Sequence, residues 1–173
     1  MPPTDHRFVL TPVPGERDLG LVDALAQLSF VVQGALGQVA AAQGLSIVQA
    51  RLLGILRDRR LTIKELANLL QLDKSSVTGL VDRAEERGLV QRTPSPVDGR
   101  SVQVTITPAG HEVIERGAAA FAAEIAALSA DLSAAQQARL SATASVVVAA
   151  DARRRGIDIF GTAPGLPHRP TGT

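Results

Sequence analysis

The sequence contains no cysteine and very few aromatic side chains. Its 173 residues include no Cys, Trp or Tyr and only four Phe. The absence of cysteine excludes disulfides, thiol catalysis, cysteine-based oxidation sensing and cysteine-bound zinc. Because 45% of the residues are hydrophobic but only 2% are aromatic, the core has to be built from Leu, Val, Ile and Ala.

Long apolar runs are also missing from the sequence. A membrane-spanning helix needs about 20 largely apolar residues, and the longest candidate, residues 25–42, is interrupted by Gln33, Gly34, Gly37 and Gln38. The first residues, MPPTDHRF, lack the basic and apolar segments of a secretory signal. We therefore expect a soluble, cytoplasmic protein without a membrane partner.

No excess of one charge sign dominates the chain, whose net charge is +1. The distribution is uneven, however. Residues 51–100 contain 10 Lys and Arg against 7 Asp and Glu, a net charge of +3, so the remainder of the chain carries −2. This mild local excess marks the middle of the chain as the segment to examine for nucleic-acid contacts.

Catalytic and metal-binding patterns are not found. His6 and His168 belong to the terminal arms, and His111 has no Asp, Glu or His at a convincing ligand spacing. Serines are plentiful, but none stands in a G-x-S-x-G nucleophile elbow. We expect no enzyme activity, no cofactor and no metal site.

Helix-start signals divide the remaining chain into successive helices. Apolar residues at helical spacing predict a long helix over residues 16–43, and Gly44 is suited to end it. Capping residues then predict five further helices. These residues are Ser46, Thr62, Asp73, Thr107 and Ser133. Residues 1–15 are rich in proline and predict an irregular arm, and residues 156–173 predict a flexible tail.

The middle of the chain has the spacing of a helix-turn-helix. The two helices predicted from Thr62 and Asp73 are separated by about two residues. The second predicts a buried face of Val77, Leu80, Val81 and Ala84. Its small or hydroxylated side chains near the N-terminus, and the arginine one turn further on, suit contact with DNA. The whole opposite face carries Ser75, Ser76, Thr78, Gly79, Asp82 and Arg83. The alternative is that these polar residues simply solvate an outward face.

A β-hairpin follows the second helix. Turn-forming residues at 94–99 precede a period-2 pattern, in which Val102, Val104 and Ile106 alternate with polar residues. Arg100 stands beside the predicted tip, where it can reach a minor groove, whose negative potential attracts arginine. Asp98 either holds that arginine or serves only as a turn residue. The fold class predicted is mainly α with a small β-hairpin wing, a winged helix-turn-helix flanked by long helices.

Residues 61–110, LTIKELANLLQLDKSSVTGLVDRAEERGLVQRTPSPVDGRSVQVTITPAG, resemble the multiple-antibiotic-resistance regulator (MarR) family of bacterial transcription factors. The most specific elements are VDRAEERGLVQR, the D-x-R of Asp98 and Arg100, and the V-x-I-T-x-x-G that ends at Gly110. The helices on both sides also fit, so the resemblance extends over roughly residues 16–152.

The resemblance implies a homodimeric regulator that binds double-stranded DNA at a pseudo-palindromic operator and is often released by a small lipophilic or aromatic acid. It implies a winged helix-turn-helix at residues 46–107 and a helical dimerisation region at residues 16–45 and 108–155. DNA contacts are implied at Ser75, Ser76, Thr78, Arg83 and Arg100. Many relatives carry an arginine at the position of Gly79, so this chain departs from them there.

Alanine-rich stretches in the last two predicted helices, AAAFAAEIAAL and SATASVVVAADA, also favour a dimer, since small residues let helices from two chains approach closely. The sequence leaves a second function class open. A winged helix can lose DNA reading and serve as a protein-interaction module, because fold does not fix function. The identity of any ligand is unknown.

Overall fold

A computed structural model describes residues 18–94 and 101–157 of the chain. Within these residues six helices and three strands follow one another. They are α1 (Gly20–Ala42), α2 (Ile47–Leu56), β1 (Leu61–Thr62), α3 (Ile63–Leu70), α4 (Lys74–Glu86), β2 (Val90–Pro94), β3 (Val102–Ile106), α5 (Pro108–Leu128) and α6 (Ala134–Arg154). The predicted mainly helical fold with a small hairpin is confirmed.

The helices begin where the capping residues predicted. Ser46, Thr62 and Ser133 each form a complete capping box, in which the hydroxyl accepts from the third residue's N–H and that residue's side chain accepts from the cap N–H. Asp73 and Thr107 cap α4 and α5 with their side chains. Local hydrogen bonding at each helix start therefore sets the element boundaries.

The three strands form one antiparallel sheet in the order β1-β3-β2. Strands β2 and β3 pair from Val90 opposite Ile106 to Pro94 opposite Val102. Strand β1 was not predicted, because two residues, Leu61 and Thr62, are too few to show a period. It exists because Leu61 pairs with Val104 across the sheet.

The core joins the helix-turn-helix to the sheet. It is aliphatic, as predicted, and its largest fully buried side chains come from α2, α3, α4, β2 and β3. They are Leu52, Leu53, Leu56, Leu66, Val77, Val81, Val90 and Val104. This arrangement fixes α4 against the sheet through one face and leaves its other face to solvent.

The predicted alternation of β3 is only partly correct. Val104 is fully buried, as predicted, but Val102 is 50% exposed. Thr105, predicted on the polar face, is buried. Val102 pairs with Pro94 at the end of the ladder, so it extends beyond the helices that cover Val104. The Thr105 hydroxyl lies 3.5 Å from the carbonyl oxygen of Gln91, which gives this buried polar group a partner.

Helix α1 corrects the expectation that no segment is long and apolar enough for a membrane. By length and composition alone, its 23 residues meet that requirement, with a mean hydropathy of 1.3 over its best window. The glutamines and glycines that interrupt the sequence carry no charge, and the helix tolerates them. The chain divides into two compact units between Gly34 and Ala35, and the end of α1 in the second unit buries Val39 and Ala40.

Candidate nucleic-acid interface

Helices α3 and α4 form the predicted helix-turn-helix. Gln71, Leu72 and Asp73 connect them. Helix α4 buries Val77, Leu80, Val81 and Ala84, none of which is more than 4% exposed. The prediction of its buried face is therefore confirmed, and the core holds the helix in a fixed rotation.

The opposite face of α4 brings together the residues singled out from the sequence. Ser75, Ser76, Thr78 and Arg83 are exposed, and Gly79 is half-buried between them. All five lie on one helix within nine residues. This face presents small side chains over its first two turns and one cation after them, which is a shape that can approach a nucleic-acid groove.

The serine hydroxyls of this face already have acceptors within the chain. Ser75 Oγ donates to Asp73 Oδ1 at 2.5 Å, and Ser76 Oγ donates to Asp73 Oδ2 at 2.6 Å. The Ser76 backbone N–H also donates to Asp73, at 2.8 Å. The hydrogen bonds from Ser75 and then from Ser76 hold the pKa of the Asp73 carboxyl well below its usual range. Asp73 therefore stays ionised and keeps both hydroxyls turned toward it.

Thr78 is oriented in a similar way, because its Oγ1 donates to the Lys74 carbonyl oxygen at 2.8 Å. The hydroxyl hydrogens of the outer face thus point back into the helix, and only oxygen lone pairs point outward. Phosphate oxygens are acceptors and need donors, so a hydroxyl–phosphate bond requires these side chains to rotate. The D-x-S-S pattern of Asp73, Ser75 and Ser76 is the sequence signal that could have indicated this.

Gly79 leaves a gap that the chain itself does not fill. A Cβ built at Gly79 would lie 3.4 Å from Nη1 of Arg83 and would meet nothing else closer. The guanidinium is the flexible end of a long side chain, so an alanine would fit there. Packing within the chain therefore does not require glycine at this position.

Arg92 of β2 joins the sheet to α4, a connection that sequence reasoning missed. Its Nη2 donates to Asp82 Oδ1 at 2.6 Å, its Nη1 donates to Glu85 Oε2, and its backbone N–H donates to Glu85 Oε1 at 3.0 Å. Burial lowers the pKa of Arg92, but the hydrogen bonds and charges of Asp82 and Glu85 outweigh it and raise that pKa. Two partly exposed carboxylates of α4 are thereby neutralised.

The predicted wing begins where β2 and β3 leave the core. Their ladder ends at Pro94 opposite Val102, two residues beyond Arg92. Asp98 and Arg100, predicted for the wing tip, lie outside the described residues. Their role stays a prediction.

A cavity of about 190 Å³ lies behind the helix-turn-helix, between the end of α1, α2 and α5. Its walls are mostly aliphatic, with Leu36, Val39 and Ile114 among them and Phe121 at one side. Its polar lining residues include Arg51 of α2 and Arg57, the C-cap of that helix. Within residues 18–94 and 101–157, no group of three His, Asp or Glu is placed to hold a metal ion.

A helix-turn-helix followed by an antiparallel hairpin defines a winged helix-turn-helix protein. The sequence model of the MarR family matches residues 43–101. The chain is similar to the HTH-type transcriptional regulator PecS of Dickeya dadantii, with 29% identity over 56% of this chain and 60% of PecS. It is also similar to the HTH-type transcriptional repressor IacR of Pseudomonas putida, with 40% identity over 42% of this chain and 44% of IacR. It therefore spans less than two thirds of either relative.

Solved structures share the fold over more of the chain. CouR from Rhodococcus jostii RHA1, bound to p-coumaroyl-CoA, aligns with a TM-score of 0.62 at 25% identity, over 72% of this chain and 88% of CouR. Apo MarR from E. coli aligns with a TM-score of 0.66 at 23% identity, over 76% and 98%. These matches show that the chain is similar to the MarR family over its winged helix-turn-helix, as its motifs indicated. These relatives are transcriptional regulators and not enzymes.

Proposed function

We propose that this chain is a dimeric, sequence-specific DNA-binding regulator, a repressor that a small lipophilic or aromatic ligand releases from its operator. The observation that carries the proposal is the outer face of α4. Its exposed residues are small around Gly79, its rotation is fixed by four buried residues, and the β2–β3 hairpin leaves the core beside it. Such a helix can enter a major groove while the hairpin reaches the neighbouring minor groove.

Each residue of the interface has a distinct role in this proposal. Arg83 is the base-reading candidate, since arginine binds guanine with two donors. Ser75, Ser76 and Thr78 bring the backbone close, because their side chains are short. Arg100 is the minor-groove contact, and Asp98 either holds that arginine or serves only as a turn residue.

Two copies are proposed to assemble through the long helices. Helix α6 buries only Ala152, and α5 buries only Gly110 among their described residues. Apolar side chains on these helices and on α1 are exposed, which is typical of an interaction surface: Leu21, Leu25, Leu128, Leu140, Val146, Val147 and Val148. A second copy is the better partner for α1 than a membrane, since Val39 and Ala40 at its end already lie in the protein interior.

The cavity behind the helix-turn-helix is proposed as the effector site. Its aliphatic walls suit a lipophilic body, and Arg51 and Arg57 suit a carboxylate at one end. Helix α2 forms one wall and packs on α3. A ligand that displaces α2 would therefore move the helix-turn-helix and weaken operator binding.

One observation favours a second candidate function, a winged-helix module that binds protein and no longer reads DNA. The accessible part of α4 carries the carboxylate of Glu86 as well as cations, and the carboxylate of Asp73 caps its start. Phosphates repel such groups, whereas a basic protein surface would attract them. Salt-dependent duplex binding separates the two candidates.

The test is a gel-shift of the whole chain on the intergenic DNA beside its own gene, at two salt concentrations. A discrete complex that survives excess non-specific DNA and weakens steeply with salt is expected, because phosphate contacts release counterions. Arg100→Ala should weaken that complex about tenfold or more. Arg153→Ala, which removes the same charge from an exposed site on α6, is the matched control. The absence of any complex would favour the interaction module.

A further inference from the structure

The turn between α3 and α4 contains an unexpected residue. Gln71 has φ 59° and ψ 43°, and it is the only non-glycine residue with positive φ among residues 18–94 and 101–157. A left-handed residue at the end of a helix is usually glycine or asparagine, because a larger side chain strains that conformation. The chain therefore has a long glutamine side chain at a position whose backbone conformation favours glycine.

The Gln71 side chain contacts Arg155, the C-cap of α6. With its amide oriented to accept, its oxygen lies 2.5 Å from Nη1 and 3.3 Å from Nη2 of Arg155. Arg155 Nη2 also donates to the Asn68 carbonyl oxygen at 2.7 Å, and Nη1 donates to Asp151 Oδ2 at 3.3 Å. We call Arg155, Asn68, Gln71 and Asp151 the Arg155 cluster.

The chemistry of the Arg155 cluster explains why it forms. Asn68 lies in the last turn of α3, where backbone carbonyls lack helical partners and the helix dipole is negative. A guanidinium has five donors in a planar fork, so Arg155 can satisfy that carbonyl and the Gln71 amide together. Its side chain is 29% exposed, so the cluster lies at the protein surface with the guanidinium partly covered.

The cluster lies at the end of a helix that otherwise buries little. Ala152, 5% exposed, is the one buried residue of α6, and it stands one turn before Arg155. The middle of α6 exposes Val146, Val147 and Val148. The last turn of α6 is therefore where this helix and the helix-turn-helix meet.

We infer that Arg155 and Gln71 are positioning residues that latch the last helix to the turn before α4. Gln71 stands three residues before the first residue of α4, so a displacement of the turn displaces the start of that helix. In a dimer, this contact makes the distance between the two α4 helices depend on how the two α6 helices pack. This inference rests on the proposed dimeric DNA-binding function, since a half-site spacing must be matched by the dimer.

Gln71→Gly gives the decisive test, because it separates strain from the latch. Glycine relieves the left-handed conformation, so the urea midpoint of unfolding should stay the same or rise. The affinity for a two-half-site duplex, selected from a randomised pool by the wild-type chain, should fall about fivefold or more. The affinity for a duplex with one half-site should stay unchanged, which a merely structural role would not produce.

Arg155→Met tests the other partner of the latch. It should lower the two-half-site affinity as Gln71→Gly does, with the dimer mass unchanged by light scattering. Arg153→Met is the matched control, since it removes the same charge from an exposed residue of the same turn, and it should bind like the wild type. Arg155→Lys should rescue binding only in part, because an ammonium lacks the planar fork.

The outcomes are distinguishable. If the wild type binds its selected duplex but both variants bind it equally well, the latch is rejected and the proposed function stands. If Gln71→Gly lowers stability and both affinities together, Gln71 has only a structural role and the latch is also rejected. A wild type that selects no duplex rejects the proposed function itself, and the latch with it.

Discussion

Gly110 of α5 lies directly against the carbonyl group of Leu89. A Cβ at Gly110 would be 2.1 Å from the Leu89 carbonyl oxygen and 2.7 Å from Cγ1 of Ile106. That carbonyl accepts from the Thr107 N–H at 3.0 Å, and the Thr107 hydroxyl accepts from the Gly110 N–H at 3.0 Å. The start of α5 is thus held against the segment that leads from α4 into β2.

Gly110→Ala should be strongly destabilising. The added methyl meets backbone, which cannot move as a flexible side chain does, so we expect the free energy of unfolding to fall by about 1–3 kcal/mol or more. Urea unfolding followed by circular dichroism measures this change. Gly54→Ala is the control, since a Cβ there meets nothing within 4 Å and should stabilise α2 by up to about 1 kcal/mol. Equal stabilities of the two variants would contradict the close contact.

Local signals predicted most of the fold. The capping boxes at Ser46, Thr62 and Ser133 fixed three helix starts, because both of their hydrogen bonds lie within four residues. What the sequence could not predict depends on distant contacts. Strand β1 requires Val104, more than 40 residues away, and Arg155 meets Asn68 across 87 residues. Neither pairing leaves a period in the sequence.

The candidate site shows the same division. The composition of the α4 outer face followed from helical periodicity around Val77 and Val81. Helical periodicity did not predict the direction of the hydroxyl groups, because that direction depends on which acceptor Ser75 and Ser76 bind. The pairing of Arg92 with two α4 carboxylates depends on where β2 returns beside the helix, which helical periodicity does not indicate.

Asp73 should make the stability of the chain depend on acid pH. Its pKa is depressed in the folded state, so its contribution is complete above the ordinary Asp pKa of about 3.9 and is lost as the pH falls below it. Asp73→Asn keeps an oxygen that can cap α4 but removes the charge. The variant should be less stable than the wild type at pH 7, and the difference should shrink between about pH 5 and pH 2. Urea midpoints across this range measure it, and a pH-independent difference would contradict the assignment.

Arg92 should support DNA binding by neutralising the carboxylates of α4. Arg92→Met leaves Asp82 and Glu85 uncompensated beside the proposed interface, so duplex affinity should fall. The effect on stability should be about 1 kcal/mol or less, because these partly exposed pairs are screened by solvent. The combined variant Arg92→Met, Asp82→Asn, Glu85→Gln should regain much of the affinity, measured by fluorescence anisotropy. If it binds no better than Arg92→Met, Arg92 contacts phosphate directly.

The exposed apolar residues of α6 should be buried between two copies. Val147 is 54% exposed in the single chain, and Val147→Glu would place a charge in the proposed interface at a large desolvation penalty. Light scattering should then give the chain mass of 18.1 kDa instead of twice that value. Val147→Ala, which adds no charge, should remain dimeric. A dimer that tolerates glutamate at 147 would place the interface elsewhere.

Gly79 provides the sharpest separation of stability from function. Because a Cβ at this position meets only the flexible end of Arg83, 3.4 Å away, Gly79→Ala should stabilise α4 by about 1 kcal/mol, the usual difference between the two residues inside a helix. If a DNA groove approaches the helix here, the same methyl should weaken duplex binding several-fold. The variant would then be more stable and less active at once, which neither misfolding nor lost packing can produce. Gly79→Arg places a second guanidinium on this face of α4 and should change which duplex the protein selects from a randomised pool. An alanine variant that gains stability and binds DNA like the wild type would show that no partner approaches the helix at this position.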